Sequence, residues 1–475
     1  MAADVPVPEL ATTATACAER LLAADRVLLA SHIDADGLTS AGVASTALER
    51  ASIPFETVFE KQLDAESIAG IAERDYDTVL FTDFGSGQLD IIAEHESAGD
   101  FTPVIADHHQ PADADTEYHL NPLLEGINGA SEMSGAGAAY VLARALATES
   151  DGTADNRDLA ALAVVGAVGD MQAKSGALHG ANSAIVADGV EAGVLEETKD
   201  LAVYGKQTRP LPKLLEYASD VRIPGITNDE RGAVSFLDDL GVACREEGNW
   251  KRWVDLTDDE RQSVASALVQ HAVKRGVPAF KIDRLVGTTY ILREEEVGTE
   301  LRDASEFSTL LNATARYERA DVGLAVCLGD RGEALERARE LLRNHRRNLS
   351  EGIEWVEQQG VEQEDHLQWF DAGDEIRETI VGIIAGMSMG ADGVSRNRPI
   401  VAFARKNDEE TKVSGRGTGS LVSEGLDLSV VMKEASQKAG GDGGGHDVAA
   451  GATIPAGTEE TFIEHADRIV GEQLG

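Results

Sequence analysis

VIADHHQP, residues 104–111, combines an apolar run with three polar side chains. The run from Val104 to Ala106 is typical of the end of a buried β-strand. Asp107, His108 and His109 follow it directly, in a chain that has only 11 histidines. Two adjacent histidines after a strand are also typical of a hydrogen-bonded pair near a turn. This stretch alone therefore leaves a structural and a functional interpretation open.

The surrounding sequence alternates predicted strands with predicted helices. RVLLAS (26–31) and DTVLFTDFG (77–85) predict two strands before the one that ends in FTPVIADHH (101–109). Small and apolar residues at helical spacing predict three helices: LTSAGVASTALER (38–50), SGAGAAYVLARALA (134–147) and RDLAALAVVGAVGDM (157–171). Strands that alternate with helices indicate an α/β fold with a doubly wound parallel sheet. Ligands of such sheets bind beyond the carboxyl ends of the strands.

Acids or histidines follow every one of these strands, and one helix also ends on an acid. They are His32, Asp34 and Asp36 in SHIDADG, Asp83 in FTDFGSG, the trio Asp107, His108 and His109, and Asp170 at the end of ALAVVGAVGD. Crowded carboxylates repel one another and are driven to protonate unless cations neutralise them. A mixed set of carboxylates and imidazoles suits Mn²⁺, and also Mg²⁺ or Zn²⁺. Two such ions roughly 3.5–4 Å apart form the clamp used in phosphoester hydrolysis.

Each segment taken singly also has a purely structural interpretation. DADG suits a turn or a helix cap, and DFGSG is a common exit from a strand. Asp170 is a plausible helix cap. The occurrence of all four segments in order, each at the end of a strand or helix, favours a metal site.

The sequence pattern changes after residue 220 and again after residue 365. Residues 221–365 have mostly helical and heavily charged patterns, and residues 366–475 return to mixed α/β patterns. We therefore predict three domains, residues 1–220, 221–365 and 366–475. The last contains GGDGGGHDVAAGATIP (440–455), whose glycines are typical of a flexible linker. The ordered-looking segment that follows the glycines favours a binding role instead.

Composition indicates the environment more than the substrate. The chain has 84 acids against 42 bases, a formal charge of −42, and 42% apolar residues over 475 positions. Acids spread over a globular sequence suggest adaptation to concentrated salt, where self-repulsion is screened and a nucleic-acid partner is not excluded. No apolar run is long enough to cross a membrane, and the N-terminus does not have the pattern of a secretion signal. Three scattered cysteines favour a reducing cytoplasm.

The ordered motifs resemble those of the DHH phosphoesterase superfamily. SHIDADG, TDFGSG, ADHHQP and the VGD that ends at Asp170 are similar to its four N-terminal motifs. GGGHDVAAG (443–451) and KVSGRG (412–417) resemble its DHH-associated C-terminal domain. TRPL (208–211) and residues 306–330 resemble, more loosely, the archaeal RecJ-like branch that includes the GINS-associated nuclease. The resemblance implies an active cleft between the two α/β domains.

The resemblance also implies roles for the metal-binding residues. His32 and Asp34 would bind one divalent ion, Asp36, His108 and Asp170 would bind the second, and Asp83 would bridge the two. Mn²⁺ is the expected metal, with Mg²⁺ as the alternative.

Other residues would act on the phosphate or hold their neighbours. Asp107 would orient His108 and fix its tautomer, and His109 would face the scissile phosphate. Arg416 and His446 would contact phosphates of the substrate. Gly443, Gly444 and Gly445 would let backbone N–H groups approach the strand closely.

These roles imply a metal-dependent, single-strand-specific exonuclease that releases nucleotides from DNA or RNA in replication or repair. A phosphodiesterase for oligoribonucleotides or cyclic dinucleotides is the second possibility, although such enzymes usually lack a long helical insertion. The third is a mainly structural component that associates with GINS and the replicative helicase. A family member that has lost catalysis should show substitutions among its metal ligands, and all six are in place here.

Two further features have less specific interpretations. His95, His119, His179 and His366 lie outside the motifs, and we expect them at the surface or in turns. RNHRR (343–347) is equally consistent with a contact to a nucleic-acid strand and with a solvated helix face.

Overall fold

A parallel sheet forms the centre of the N-terminal part of the chain in the computed structural model, which describes residues 4–150, 155–173, 176–218, 221–391 and 393–475. The sheet has five strands in the order β2-β1-β3-β4-β5, and all neighbouring pairs are parallel. The strands are β1 (Val27–His32), β2 (Phe55–Glu60), β3 (Thr78–Thr82), β4 (Thr102–Ala106) and β5 (His119–Leu120). The predicted doubly wound parallel sheet is therefore confirmed.

Seven helices accompany this sheet in the described part of the chain. They are α1 (Ala11–Leu22), α2 (Ala35–Arg50), α3 (Ala65–Ala72), α4 (Leu89–Ala98), α5 (Gly135–Glu149), α6 (Ala160–Gly169) and α7 (Ala181–Glu191). Alternate strand residues such as Leu28 and Phe81 share one apolar cluster with Ile68 of α3 and Ile92 of α4. The intervening strand residues face the other side of the sheet, where α1, α2 and α5 contact the strands.

Two strands of this sheet do not follow from the sequence pattern. β2 reads FETVFE and is only half-buried at the sheet edge, so its acids interrupt the apolar run. β5 has two residues, which are too few to show a period.

The middle of the chain is mostly helical, as expected, but it also contains an antiparallel pair of strands. β6 (Leu195–Leu201) pairs with β9 (Val286–Leu292) across more than eighty residues of sequence, and β6 reads LEETKDL, which does not look like a strand. The remaining elements are α8 (Leu211–Glu216), α9 (Glu230–Asp238), β7 (Arg245–Glu246), β8 (Asn249–Trp250), α10 (Asp258–Lys274), α11 (Ala279–Ile282), α12 (Ala304–Arg316), α13 (Ala320–Cys327) and α14 (Glu333–Gln359).

The chain divides into two compact units, Met1–Ala338 and Arg339–Gly475. The second contains a six-stranded mixed sheet in the order β10-β11-β12-β13-β15-β14. Its strands are β10 (Glu362–Gln363), β11 (Gln368–Asp371), β12 (Ile400–Arg405), β13 (Glu410–Arg416), β14 (Asp442–Gly445) and β15 (Ala449–Pro455). Its helices are α15 (Glu378–Ser388), α16 (Gly419–Glu424), α17 (Leu428–Ala439) and α18 (Glu459–Leu474).

The glycine run is part of this second sheet and is not a linker. Gly443, Gly444 and Gly445 form β14 and pair with β15, with Gly444 opposite Gly451. The run is ordered because its backbone groups join a sheet, for which no side chain is needed.

Several other expectations can be placed on this fold. Arg343, Arg346 and Arg347 of the RNHRR segment are exposed on α14. None of the helices in the described parts of the chain is long and apolar enough to cross a membrane.

Candidate metal centre

Six acids and histidines meet where the parallel strands end. His32 ends β1, Asp34 caps α2 and Asp36 lies in the first turn of α2, Asp83 follows β3, His108 follows β4, and Asp170 is the C-cap of α6. We call these six residues the acidic edge. β3 pairs with both β1 and β4, so their carboxyl ends lie side by side.

The first group of possible metal ligands contains His32, Asp34 and Asp83. His32 Nδ1 lies 3.2 Å from Asp34 Oδ1 and 3.6 Å from Asp83 Oδ2. One ligand atom from each of the three residues falls within 4.8 Å of the other two. Asp34 also caps α2, because its Oδ1 accepts a hydrogen bond from the Gly37 backbone N–H at 3.0 Å.

The second group contains Asp36, His108 and Asp170, again with ligand atoms within 4.8 Å of one another. His108 Nε2 lies 3.7 Å from Asp36 Oδ2, and its Nδ1 lies 3.9 Å from Asp170 Oδ2. Asp83 Oδ1 is 3.4 Å from His108 Nε2. The two oxygens of Asp83 therefore face different groups.

Asp36 is held by the N-terminus of a helix. It is buried and accepts hydrogen bonds from the Gly135 N–H at 2.8 Å and the Ala136 N–H at 3.0 Å, both in the first turn of α5. Burial, and then the charge of Asp83, raise the pKa of Asp36 well above its usual range. A Cβ on Gly135 would lie 2.3 Å from Asp83 Oδ1, so only glycine lets α5 approach so closely.

The two histidines of the acidic edge respond to the surrounding carboxylates. Burial lowers the pKa of His32, but its hydrogen bonds to Asp34 and Asp83 outweigh burial and raise the pKa to about 11. Burial also lowers the pKa of His108, but its hydrogen bond to Asp83 and the charge of Asp36 outweigh burial and raise the pKa to about 11. Burial raises the pKa of Asp170. The protein groups alone thus strongly favour positive charge at this edge.

The donor set fits divalent cations. Protons and metal ions compete for the same carboxylates and imidazoles, so an edge that attracts protons this strongly also attracts cations. Oxygen and imidazole donors suit Mn²⁺, and the carboxylates also suit Mg²⁺. His32, Asp34 and Asp83 could hold one ion, and Asp36, His108 and Asp170 could hold a second.

Asp107 accepts a hydrogen bond from the His108 backbone N–H at 2.7 Å, but the structure corrects its expected role in fixing the tautomer of His108. His108 Nδ1 donates a hydrogen bond to the Gly129 carbonyl oxygen at 2.7 Å, so Gly129 fixes the tautomer and leaves Nε2 for a metal. Asp107 instead accepts a hydrogen bond from His109 Nδ1 at 2.8 Å. This bond, opposed by burial, raises the pKa of His109 and favours its protonated ring.

A hydrogen-bond network behind Asp107 also corrects the expectation for His119. His119 is buried in β5, and its Nε2 lies 2.9 Å from the Ser86 hydroxyl. The Ser86 backbone N–H donates to Asp107, and Asn121 donates to both Ser86 and the His109 carbonyl. His119 is therefore not a surface or turn residue, whereas His95, His179 and His366 are half-buried or exposed.

Sequence reasoning missed the residue that holds Asp170. The Gln172 side-chain amide donates to Asp170 Oδ2 at 2.8 Å and to the Gly129 carbonyl at 2.8 Å. Its own oxygen accepts a hydrogen bond from Asn182 at 2.6 Å. Gln172 therefore links the supports of Asp170 and His108. A glutamine two positions after a candidate ligand was the only signal in the sequence.

The predicted substrate-binding residues lie together in the second unit. Arg416, which ends β13, pairs with Ala449 of β15, and Gly445 of β14 pairs with the next residue, Ala450. His446 follows directly and is exposed. We call Arg416, Gly443, Gly444, Gly445 and His446 the glycine edge.

Arg416 is held against its own sheet and the helix beside it. Its guanidinium donates to the Gly415 carbonyl at 2.7 Å. A Cβ on Gly382 of α15 would lie 2.4 Å from the guanidinium, so that glycine makes room for it.

Comparison with known proteins agrees with these observations. Residues 26–167 match the DHH family, N-terminal domain, residues 203–286 match the DHH-CID domain, and residues 367–472 match the DHHA1 domain. An uncharacterized protein of Methanocaldococcus jannaschii is 30% identical over 452 residues, which cover 94% of this chain and 93% of that protein.

Solved structures share the fold at low sequence identity. One of them is RecJ of Thermus thermophilus, which has been solved with Mn²⁺ and with Mg²⁺. Its Mn²⁺ form has a TM-score of 0.61 at 16% identity. The match to that form covers 99% of this chain but only 56% of the Thermus protein. An exonuclease RecJ bound to manganese has a TM-score of 0.59 at 17% identity, and the match covers 97% of this chain and 94% of that chain. CDC45 of Entamoeba histolytica has a TM-score of 0.64 at 10% identity and covers 98% of both. The chain belongs to the DHH phosphoesterase superfamily and has a RecJ-like fold.

Proposed function

We propose that this protein is a metal-dependent phosphodiesterase, a RecJ-like exonuclease that hydrolyses single-stranded DNA or RNA to mononucleotides in the cytoplasm, in replication or repair. One observation carries the proposal. The two oxygens of Asp83 face two separate ligand groups, at 3.6 Å from His32 Nδ1 and 3.4 Å from His108 Nε2. That is the arrangement expected of a carboxylate that bridges two ions.

When bound, a pair of divalent ions supplies an activated water and neutralises phosphoryl oxygens. The protein contributes the orientation of the ligands and a charged group beside the phosphate. His109 is about half exposed, and Asp107 holds its Nδ1. Its Nε2 is thus the nitrogen that remains for a substrate oxygen, and the hydrogen bond to Asp107 raises the pKa of His109, which favours a ring that can donate a proton there.

The glycine edge is the proposed contact for the substrate phosphates. Gly445 and His446 are exposed, and Gly444 has open space where a side chain would stand. Arg416 adds a positive charge beside this backbone. A guanidinium next to backbone N–H groups that no side chain covers is suited to binding the phosphate groups of a nucleic-acid strand.

The other two functions remain alternatives within this proposal. A mainly structural role with GINS and the helicase is suggested by the fold shared with CDC45. The complete set of metal-ligand residues argues against a scaffold alone. A small-substrate phosphodiesterase would use the same acidic edge but would stop at oligoribonucleotides or cyclic dinucleotides.

The test is digestion of end-labelled single-stranded DNA and RNA with Mn²⁺ or Mg²⁺, in molar salt. We expect mononucleotides from the wild type and none from Asp83→Asn. Asp90→Asn is the matched control, because Asp90 is an exposed aspartate of the same domain, on α4. Folded wild-type protein that leaves both long substrates intact would show that the proposal is wrong. Hydrolysis of short oligonucleotides alone would support the small-substrate alternative.

A further inference from the structure

The segment around the end of α10 reverses the charge balance of the chain. The whole chain has two acids for each base, 84 against 42. Residues 263–286 contain Lys274, Arg275, Lys281 and Arg284, and Asp283 is their only acid. All four bases are exposed.

These four bases lack an acidic partner within the described parts of the chain. Among the described residues, none of the four forms an ion pair. Other bases of the same region are paired, since Arg245 lies 3.3 Å from Asp238 and Lys251 lies 3.7 Å from Glu260. Unpaired cations on so acidic a surface indicate a negatively charged ligand.

A groove of about 430 Å³ runs between α9 and α10 beside two of these bases. Phe236 and His271 line it, with ring centroids 5.6 Å apart and an edge-to-face geometry. Lys274 and Arg275 also line it, and Asp239 is the one acid among its described lining residues. Its volume is that of a site for a small organic group such as a nucleoside.

A further aromatic ring lies in α11, the helix that follows α10 in the chain. Phe280 of α11 is 62% exposed, although burial of a phenylalanine is strongly favoured. Lys281 is its immediate neighbour, and Arg284 lies one helical turn further along the chain. Aromatic rings interleaved with separate positive charges form the stacking surface typical of proteins that bind single strands.

We propose that this surface, formed by Phe236, His271, Lys274, Arg275, Phe280, Lys281 and Arg284, binds a segment of single-stranded nucleic acid. We call it the α10 surface. It is a contact additional to the acidic and glycine edges, and its ligand rests on the proposed function. Bases would stack on the rings, and phosphates would lie against the four cations.

The α10 surface is tested by binding of a fluorescent single-stranded oligonucleotide in the presence of a chelator, so that no hydrolysis occurs. Phe280→Ala should weaken binding about fivefold or more, because a base stacked on an aromatic ring contributes about 1–3 kcal/mol. The double variant Lys274→Gln, Arg275→Gln should reduce the slope of log K against log salt by about 1.4, which is two phosphate contacts on a single strand.

The matched control is Lys433→Gln, Lys438→Gln, which makes the same charge change at two exposed lysines of α17. It should leave both the affinity and the salt slope at wild-type values. Hydrolysis of short oligonucleotides should also be unchanged in the α10 variants, since they leave the acidic edge intact.

Wild-type affinity in Phe280→Ala and in the double variant would overturn the inference. Retained strand binding together with loss of binding to a labelled polyglutamate peptide would assign the surface to an acidic protein and would equally overturn it. Both results leave the proposed function standing, because that function fails if the wild type hydrolyses neither single-stranded DNA nor single-stranded RNA with Mn²⁺ or Mg²⁺.

Discussion

The acidic edge and the glycine edge are built in opposite ways. At the acidic edge the side chains are crowded and tied to one another, Asp36, Asp83 and His108 are buried, and Asp36 is also held by the N-terminus of α5. At the glycine edge the side chains are few, much of the backbone is exposed, and the order comes from the ladder of β14 and β15. The first design fixes charged atoms for a reaction, and the second leaves space for a chain to approach. Substitutions at the acidic edge should therefore lower kcat, and substitutions at the glycine edge should raise KM.

Among substitutions that keep all six residues of the acidic edge, one at His109 should give the largest effect, because its exposed ring is the one we assign to the substrate phosphate. We expect His109→Asn to lower kcat by about 10²–10⁴-fold, since a positioned acid–base group contributes that much. Binding of Mn²⁺, followed by calorimetry, should stay near the wild-type value. An equal loss of metal binding would show that His109 is itself a ligand. His179→Asn, at an exposed histidine outside the motifs, is the control.

Gly135→Ala should damage the acidic edge without removing any ligand. The new Cβ would lie 2.3 Å from Asp83 Oδ1, so the bridging carboxylate or α5 must move. A shift of about 1 Å at a reacting group costs about 10²-fold, which we expect in kcat. Gly70→Ala is the matched control, because a Cβ there meets nothing within 4 Å and α3 should be slightly stabilised. Equal activity of the two variants would contradict the close approach of α5.

Gln172→Ala tests the support of Asp170 and should weaken Mn²⁺ binding by about 10–100-fold. The amide that it removes holds Asp170 and the Gly129 carbonyl. Excess Mn²⁺ should restore much of the activity, because all the ligands remain. Gln262→Ala, at an exposed glutamine of α10, should bind Mn²⁺ normally. Failure of excess metal to rescue Gln172→Ala would indicate a structural collapse instead.

Gly444→Ala should give the smallest effect and should act on the other edge. A Cβ at Gly444 meets nothing within 4 Å, so the fold should be kept and thermal unfolding should be unchanged. The added methyl group would still prevent a substrate phosphate from approaching the backbone N–H groups. We therefore expect KM to rise about tenfold, or about 1.4 kcal/mol, with kcat unchanged. An unchanged KM would remove Gly444 from the substrate contacts.

Much of the fold followed from local patterns. β1, β3 and β4 were predictable because they are apolar runs that end in polar turns, and a parallel sheet brings such ends to one edge. β2, β5 and β6 were not, because the first is half-exposed, the second has two residues, and the third pairs with a strand far along the chain. Short or charged strands gain their stability from neighbours that the local sequence does not contain.

The sequence by itself determined which residue types gather at the acidic edge, since their order along the chain and the parallel sheet are enough to place them. It also determined the family, through motifs that survive as short strings around Asp83, His108 and Asp170. Only the tertiary structure decided which hydrogen-bond partner holds each side chain of the site. Gly129 and not Asp107 sets the tautomer of His108, Asp107 orients His109, and Gln172 supports Asp170. Hydrogen bonds select their partners by distance and angle, and the folded chain brings together atoms that are well separated in the sequence.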